Sequence, residues 1–285
     1  MEKERPLRPF VKWAGGKKRI LPQLLKLAPK NFGTYYEPFL GGGSMLLALR
    51  PKNAVVGDQN AQLVNAWIQI RDDPKGVLSI LSTLDAWMPP GAAGEKYYKS
   101  LRDAYNEGID TTFNLPQAAL FIWLNKHCFN GLYRVSSNGR FNVPWNKKTG
   151  DSAVDPDNLR AVSKYLRQNN VRITSGDFRK LVQGAGAGDF IYLDPPYVPM
   201  GKGRDFTAYA PGGFTESDHA AVAETYANLH SKQALVMVSN SDTSESKRLY
   251  DFPFTKIEDA GVIPRSVKAS GKTLRAREIV FRNYT

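Results

Sequence analysis

The stretch Phe190-Ile191-Tyr192-Leu193-Asp194-Pro195-Pro196-Tyr197 decides the fold class of this chain. Its four leading apolar residues are typical of a buried strand, and the two prolines end that strand. In an open α/β sheet, ligands bind at the edge formed by the carboxyl ends of the strands. We therefore predict an α/β protein whose ligand cleft begins at Asp194.

The same strand end carries a specific chemistry. Successive prolines lack backbone donors, so the Pro195 carbonyl can face the cleft beside the Asp194 carboxylate. Two acceptors match the two hydrogens of an exocyclic amine, and the Tyr197 ring matches a flat base. A proline turn with a solvated aspartate is the alternative, and these residues alone do not separate the two interpretations.

A second pattern lies upstream, where Thr34-Tyr35-Tyr36-Glu37-Pro38-Phe39-Leu40-Gly41-Gly42-Gly43-Ser44 predicts a strand, a glycine turn and a helix start. Glycine lets the backbone approach a ligand closely. The next predicted strand, residues 54–57, ends in Asp58, and an acidic residue there commonly accepts hydrogen bonds from ribose hydroxyls. The pattern favours a nucleoside site, and its spacing, which is not G-x-G-x-x-G, disfavours a dinucleotide site.

Gly16-Lys17 resembles the end of a phosphate-binding loop, but the register is wrong. Position 11 is valine instead of glycine, and Lys17 is followed by Lys18 instead of serine or threonine. The sequence therefore argues against a nucleotide triphosphatase.

The motifs together resemble the Dam family of DNA adenine-N6 methyltransferases. The resemblance covers nearly the whole chain, from Phe10 to about Phe281, with the motifs in the family's order. Besides the two patterns above, it rests on Lys12-Trp13-Ala14-Gly15-Gly16-Lys17, Phe129-Asn130-Gly131-Leu132-Tyr133-Arg134, Phe141-Asn142-Val143-Pro144, Phe206-Thr207-Ala208-Tyr209 and Val238-Ser239-Asn240.

This resemblance implies a Rossmann-like class I methyltransferase sheet with an inserted, mostly helical target-recognition domain that carries a β-hairpin. It implies methyl transfer from S-adenosylmethionine, without a metal, to a flipped-out adenine in duplex DNA, with GATC the favoured site. The implied catalytic residues are Asp194, Pro195 and Tyr197. The implied cofactor-binding residues are Trp13, Lys17, Glu37, Phe39, Gly41, Asp58 and Asp177, with Lys17 near the cofactor carboxylate and Asp177 near its adenine. Phe206 and Tyr209 are expected in a loop over the target base.

The periodicity predicts the domain organisation. Helical spacing runs over residues 60–70, 78–84, 97–106 and 116–126, and strand-like residues return at 171–173, 190–193 and 234–238. A further helix is predicted over 216–231. We expect a catalytic domain of residues 1–60 and 165–285 and a target-recognition domain of residues 61–164.

The target-recognition segment contains a hairpin signal at about 132–144, with an Asn138-Gly139 turn. A two-stranded ribbon fits the DNA major groove, where arginine reads guanine and amides read adenine. A solvated basic hairpin is the alternative. The expected DNA-binding residues, several of them by family resemblance, are Lys12, Asn130, Leu132, Arg134, Asn142, Pro144 and Lys147. Around residues 136–140 the chain departs from well-known members, which leaves the recognition sequence open beyond a preference for GATC.

Composition agrees with a nucleic-acid partner. The chain has 285 residues, and 39 Lys and Arg against 27 Asp and Glu give a net charge of +12. One cysteine excludes a disulfide framework, and no histidines are paired at a metal-ligand spacing. With no apolar membrane span and no signal-peptide core, we expect a cytoplasmic protein of a bacterium or a phage-infected cell. We expect a monomer in solution and leave dimerisation on DNA open.

Two other functions stay open at this point. Asp-Pro-Pro-Tyr does not name the base, so an enzyme acting on RNA or on cytosine amines is one of them. The other is a DNA-binding protein that has lost catalysis. The residues also do not distinguish a restriction-modification, phage or solitary regulatory enzyme.

Overall fold

The computed structural model describes residues 5–150, 152–198, 214–257 and 278–285. These residues form a seven-stranded sheet and ten α-helices. The strands are β1 (Tyr35–Glu37), β2 (Asn53–Asp58), β3 (Asn170–Ser175), β4 (Phe190–Leu193), β5 (Leu235–Ser241), β6 (Phe254–Ile257) and β7 (Glu278–Arg282). The helices are α1 (Leu21–Leu27), α2 (Ser44–Leu49), α3 (Ala61–Asp72), α4 (Pro74–Ala86), α5 (Gly91–Glu107), α6 (Leu115–His127), α7 (Pro156–Gln168), α8 (Phe178–Leu181), α9 (Glu216–Ser231) and α10 (Ser244–Leu249).

The sheet order places the predicted cleft at a topological switch point. The order is β3-β2-β1-β4-β5-β7-β6, with the first five strands parallel and β7 antiparallel to both of its neighbours. The chain builds outward from β1 through β2 to β3, and then returns to the other side of β1 with β4. Ligands of open α/β sheets bind where the strand order reverses in this way. The α/β class and the class I methyltransferase sheet are thus confirmed.

Alternation along β4 explains why this strand is apolar throughout. Phe190 and Tyr192 pack into the core on one face of the sheet, whereas Ile191 and Leu193 pack into the core on the other. Successive strand residues point to opposite faces, so a strand covered on both sides must be apolar at every position. This double burial fixes the strand from which Asp194 emerges.

The helical segment shares its core with the sheet. Helix α3 contacts β2 and β3 of the sheet as well as α6 and α7. One continuous cluster of buried side chains contains Val56 and Ile173 of the sheet together with Trp67 and Trp123 of the helices. The part of the chain expected to recognise DNA is therefore rigidly packed against the catalytic sheet.

The structure adds elements that the periodicity did not predict. Helix α9 has the predicted bounds, and α3 to α6 include the predicted helical runs except for Asn60, which caps α3. Helix α7 was not predicted, although it begins with a strong signal. The Asp155 side chain accepts hydrogen bonds from two backbone N–H groups of the first turn, and Pro156 occupies the first helical position. In the part of the chain that the structure describes, no helix is long and apolar enough to cross a membrane.

Candidate active site

Four parallel strands deliver acidic side chains to one edge of the sheet. Glu37 ends β1 and Asp58 ends β2, while Asp177 and Asp194 closely follow β3 and β4. Strand β1 pairs with both β2 and β4 in parallel, and β2 pairs with β3. Their carboxyl ends therefore lie side by side, as the sequence patterns predicted for a shared cleft.

Lys17 joins the N-terminal motif to the end of β4. Its ammonium lies 2.6 Å from Asp194 Oδ2 and donates to the Gly15 carbonyl, also at 2.6 Å. The same nitrogen lies 4.8 Å from the centre of the Tyr197 ring. Lys17 is only 4% exposed. Because a buried charge is costly unless it is paired and hydrogen-bonded, these contacts explain how the lysine can lie here.

Glu37 anchors the start of helix α2, which follows the glycine turn. Its Oε2 atom accepts hydrogen bonds from the Tyr35 hydroxyl at 2.9 Å and from Leu46 N at 3.1 Å. Leu46 N belongs to the first turn of α2, where backbone donors lack helical partners. Burial raises the pKa of the Glu37 carboxyl to about 8, against the opposing effect of these hydrogen bonds. The side chain therefore fixes the start of α2 relative to β1.

Asp58 fixes the glycine turn from the neighbouring strand. Its two carboxylate oxygens accept from Gly41 N at 2.9 Å and from Asn60 N at 3.0 Å. Burial raises the pKa of the Asp58 carboxyl, and the backbone hydrogen bonds oppose this shift. Gly41 has φ +49°, and a Cβ atom there would lie 2.7 Å from Trp13 Cδ1. The turn thus needs glycine for its conformation and for its close approach to Trp13.

The N-terminal motif lies between this turn and the hairpin. The Trp13 ring stacks on Tyr133, with ring centres 5.7 Å apart. Asn125 of α6 accepts from Lys12 N at 2.8 Å and donates to Lys12 O at 2.7 Å and to Gly131 O at 3.1 Å. Asn125 therefore ties Lys12 to the base of the hairpin. No local pattern predicted this role, since Asn125 lies within a helical run.

The remaining predicted cofactor residues follow β1 and β3. The Phe39 ring stacks on Phe178, with centres 5.1 Å apart. Asp177 accepts from Arg179 N at 2.8 Å and forms an ion pair with the Arg179 side chain. The Arg179 guanidinium lowers the pKa of the Asp177 carboxyl. Asp177 is thus an ionised acceptor at the start of α8.

The two arms of the hairpin pair with each other near its tip. Val135 and Phe141 form one antiparallel bridge, and Gly139 adopts φ +77° in the turn between them. The Asn106 side chain of α5 accepts from Phe141 N at 2.7 Å and donates to Phe141 O at 3.0 Å, as a neighbouring strand would. The hairpin is therefore held in place by a helix side chain.

The predicted DNA-binding residues share one surface region around this hairpin. Arg134 Nε donates to Asn142 Oδ1 at 2.7 Å across the two arms. Lys12 packs against Gly131, where a Cβ atom would lie 2.3 Å from Lys12 Cβ. The exposed members of the set are Lys12, Asn130, Arg134, Pro144 and Lys147, and the half-buried members are Leu132 and Asn142.

Strands β5 and β7 also contribute residues to this region. Polar side chains of β5 and β7 contact the segment that follows Asp194, and the sequence assigned them no role: Asn240, Ser241 and Glu278. The Val238-Ser239-Asn240 motif was a signal for this strand end. Phe206 and Tyr209 lie outside the described residues.

Comparison with known proteins agrees with this geometry. A family model of the D12 class N6 adenine-specific DNA methyltransferases matches residues 13–262. The Type II methyltransferase M1.LlaDCHI of Lactococcus lactis subsp. cremoris is 36% identical over 280 residues, covering 98% of this chain and 96% of that protein. The Type II methyltransferase M.MjaIII of Methanocaldococcus jannaschii is 37% identical over 246 residues, covering 82% and 84%. A DNA adenine methylase of Vibrio cholerae is 29% identical over 244 residues, covering 85% and 84%.

Proposed function

Because this chain belongs to the D12 class N6 adenine-specific DNA methyltransferases, we propose that it methylates a flipped-out adenine in duplex DNA, preferentially in GATC, with S-adenosylmethionine as the donor. Family membership supports adenine in DNA over RNA or cytosine. The intact Asp194 and Tyr197 argue against an inactive DNA reader. The main support for the proposal is the position of four features at the switch point of the sheet. These are Asp194, Tyr197, Asp58 and the glycine turn.

The residues present fit S-adenosylmethionine. At Gly41 the glycine turn has no side chain, and its backbone lies close to the Trp13 ring. Asp58 lies beside the turn at the end of β2. Each carboxylate oxygen has two lone pairs, so Asp58 can hold the turn and also accept from ribose hydroxyls. Lys17 and Asp177 offer charges of the signs that suit the carboxylate and the adenine amino group of the donor. When bound, the donor supplies an electrophilic methyl group on a sulfonium.

Asp194 and Pro195 orient the accepting amine. The lone pair of an adenine amino group is delocalised into the ring, which makes this nitrogen a poor nucleophile. Hydrogen bonds from its two hydrogens to the Asp194 carboxylate and the Pro195 carbonyl direct the lone pair toward the methyl group. They also stabilise the positive charge that develops on nitrogen, and the amine then releases one proton to solvent. Asp194 therefore acts through geometry and charge and need not be a strong base.

The target base must leave the duplex to reach these acceptors. Flipping costs a few kcal/mol in lost stacking and pairing. We propose that stacking on Tyr197 and contacts of the hairpin with the flanking bases offset this cost. Arg134, Leu132 and Pro144 are the proposed base readers, and the preference for GATC rests on their resemblance to the Dam pattern.

One assay tests the substrate and the sequence together. Unmodified plasmid is incubated with the protein and labelled S-adenosylmethionine, and the modified positions are mapped by sequencing. We expect N6-methyladenine at GATC, and at least about 10²–10³-fold less with the Asp194→Asn variant as a matched control. Methylation of adenine at a different consensus would overturn GATC while leaving the chemistry intact, and failure to use S-adenosylmethionine would overturn the donor.

A further inference from the structure

The segment that carries the catalytic motif is fastened at its far end by β5. Val198 N donates to Asn240 Oδ1 at 3.0 Å, and Ser241 Oγ donates to Val198 O at 2.7 Å. Asn240 and Ser241 are completely buried at the carboxyl end of that strand. Both backbone groups of Val198 are thus held by the side chains of a central strand, which fixes the path of the chain immediately after Tyr197.

Tyr197 itself is fastened by the next strand. Its hydroxyl donates to Glu278 Oε2 at 2.8 Å. Glu278 is the first residue of β7, is 3% exposed, and pairs directly with Ser241 in the antiparallel ladder. The paired strands β5 and β7 therefore hold consecutive residues of the catalytic segment.

A hydroxyl tether defines the orientation of an aromatic ring. A tyrosine side chain has two rotatable bonds, and a bond from its hydroxyl to a rigid acceptor limits both. The acceptor is a carboxyl oxygen of a buried side chain, where water does not compete for the hydroxyl. Glu278 is also set in a buried strand, which limits its own freedom.

We propose that Glu278 is a positioning residue that holds the Tyr197 ring ready to receive the flipped base. This inference rests on the proposed function, in which Tyr197 stacks on the target adenine. A ring fixed in advance loses less conformational entropy when the base arrives, so more of the stacking energy supports the reactive geometry. It also gives a physical reason for tyrosine, instead of phenylalanine, at position 197.

A coupled mutant set tests the proposal. Tyr197→Phe keeps the ring and removes the tether from one side, and Glu278→Ala removes it from the other. We expect each variant to lower the single-turnover methylation rate about tenfold, which corresponds to the loss of one buried hydrogen bond. DNA and cofactor dissociation constants should change less than about threefold. The double variant should be no slower than the slower single variant. Glu278→Gln should restore most of the rate, because its amide oxygen can still accept from the hydroxyl.

A merely structural role for Glu278 gives a different result. Glu278→Ala would then slow the reaction equally in the wild-type and Tyr197→Phe backgrounds, and Tyr197→Phe alone would match the wild type. Either result overturns the proposal. Tyr197→Phe leaves the sequence of β7 unchanged, so its methylation rate still tests the proposal if Glu278→Ala does not fold. Ser239→Ala is the matched control, since it removes a buried hydroxyl of β5 that contacts Tyr192 at 2.9 Å instead of the catalytic segment.

Comparing Tyr197→Ala with Tyr197→Phe distinguishes a failure of the tether from a failure of the proposed stacking role. Tyr197→Ala removes the ring altogether. A fully active Tyr197→Ala variant would contradict the stacking role on which the proposal depends. A strongly impaired Tyr197→Ala beside a wild-type rate for Tyr197→Phe would retain stacking and overturn only the tether to Glu278.

Discussion

The catalytic edge of the sheet and the hairpin are built in opposite ways. At the edge, Glu37 is 2% exposed, and both Glu37 and Asp58 accept hydrogen bonds from backbone N–H groups of the glycine turn and α2. On the hairpin, Arg134 is exposed and its partner Asn142 lies on the other arm. In the proposed mechanism, the chemistry depends on groups that the core fixes in advance, whereas recognition uses groups that can exchange an internal partner for DNA.

The aromatic residues show where the two regions join. Tyr133 and Phe141 root the hairpin in the core, and Trp13 stacks on Tyr133 while touching the glycine turn. The proposed base readers therefore lie on a rigid base, although Arg134 and Pro144 have exposed side chains. We expect single changes at the catalytic edge to cost far more than single changes on the hairpin.

The largest effect is expected at Asp194. Asp194→Asn should lower methyl transfer at least about 10²–10³-fold, because an amide lacks the charge that stabilises the developing cation. It should leave DNA and cofactor affinity within a few-fold. Asparagine retains an oxygen for Lys17, so this variant avoids a buried, unpaired ammonium that alanine would create. Single-turnover assays alongside binding titrations measure both quantities, and substantial turnover would remove Asp194 from the catalytic role.

A smaller effect is expected at Asp58. Asp58→Ala should weaken binding of S-adenosylmethionine about tenfold to a hundredfold, the loss of one hydrogen bond to a charged group. Asp58→Asn is the control, since its one side-chain oxygen can keep the hydrogen bond to Gly41 N while the second carboxylate oxygen is lost. Calorimetry is the measurement. An unchanged dissociation constant in the alanine variant would contradict the assigned ribose contact, and nicotinamide dinucleotide should not bind.

The same contrast explains what the sequence could predict. Strand β4 and helix α9 were predictable because each carries its own local pattern, an apolar run for the strand and a helical spacing for the helix. The position of Asp58 was predictable because it closes a strand that the sequence already indicated. These signals are contained within a few residues.

Roles that depend on distant partners had no such signal. Glu278 meets Tyr197 across 81 residues of chain, and Asn125 meets Lys12 across 113. In the sequence, Glu278 is an acidic residue before an apolar run, which is equally typical of a surface strand. Glu278 reaches the Tyr197 hydroxyl only because β7 pairs antiparallel with β5 in the folded sheet. Helix α7 is different, because its Asp155-Pro156 start is a local signal that the periodicity alone overlooked.

On the hairpin we expect moderate and separable effects. Arg134→Ala should lower the ratio of GATC to single-mismatch methylation, since losing a good base contact costs about 1–3 kcal/mol at one position. Lys147→Ala should weaken binding to all sequences and reduce the salt slope by about 1, leaving that ratio nearly fixed. The measurement is a panel of duplexes, each with one base pair altered, at several salt concentrations. If Arg134→Ala slows every duplex equally, Arg134 is a backbone contact.

At Glu37 we expect an effect on stability instead of activity, which tests the free-energy cost of burying a carboxyl group at the catalytic edge. Burial raises the pKa of Glu37 to about 8, so the folded protein keeps this proton in a range where the unfolded chain has lost it. The unfolding free energy should therefore fall as pH rises from the usual glutamate pKa toward 8, by at most about 1.4 kcal/mol per pH unit from this group. Glu37→Gln has no proton to lose and keeps an oxygen for Tyr35 and Leu46 N.

Chemical denaturation at about pH 6 and about pH 8.5, on either side of the raised pKa, measures this difference. The stability of Glu37→Gln relative to the wild type should rise between the two values, because every other group titrates alike in both proteins. Glu224→Gln, at an exposed position of α9, should show no such change. A constant difference would mean that Glu37 is ionised in the folded protein across this range. The carboxylates of the edge would then be held in charged form by their hydrogen bonds, and the contrast with the exposed hairpin would be one of geometry alone.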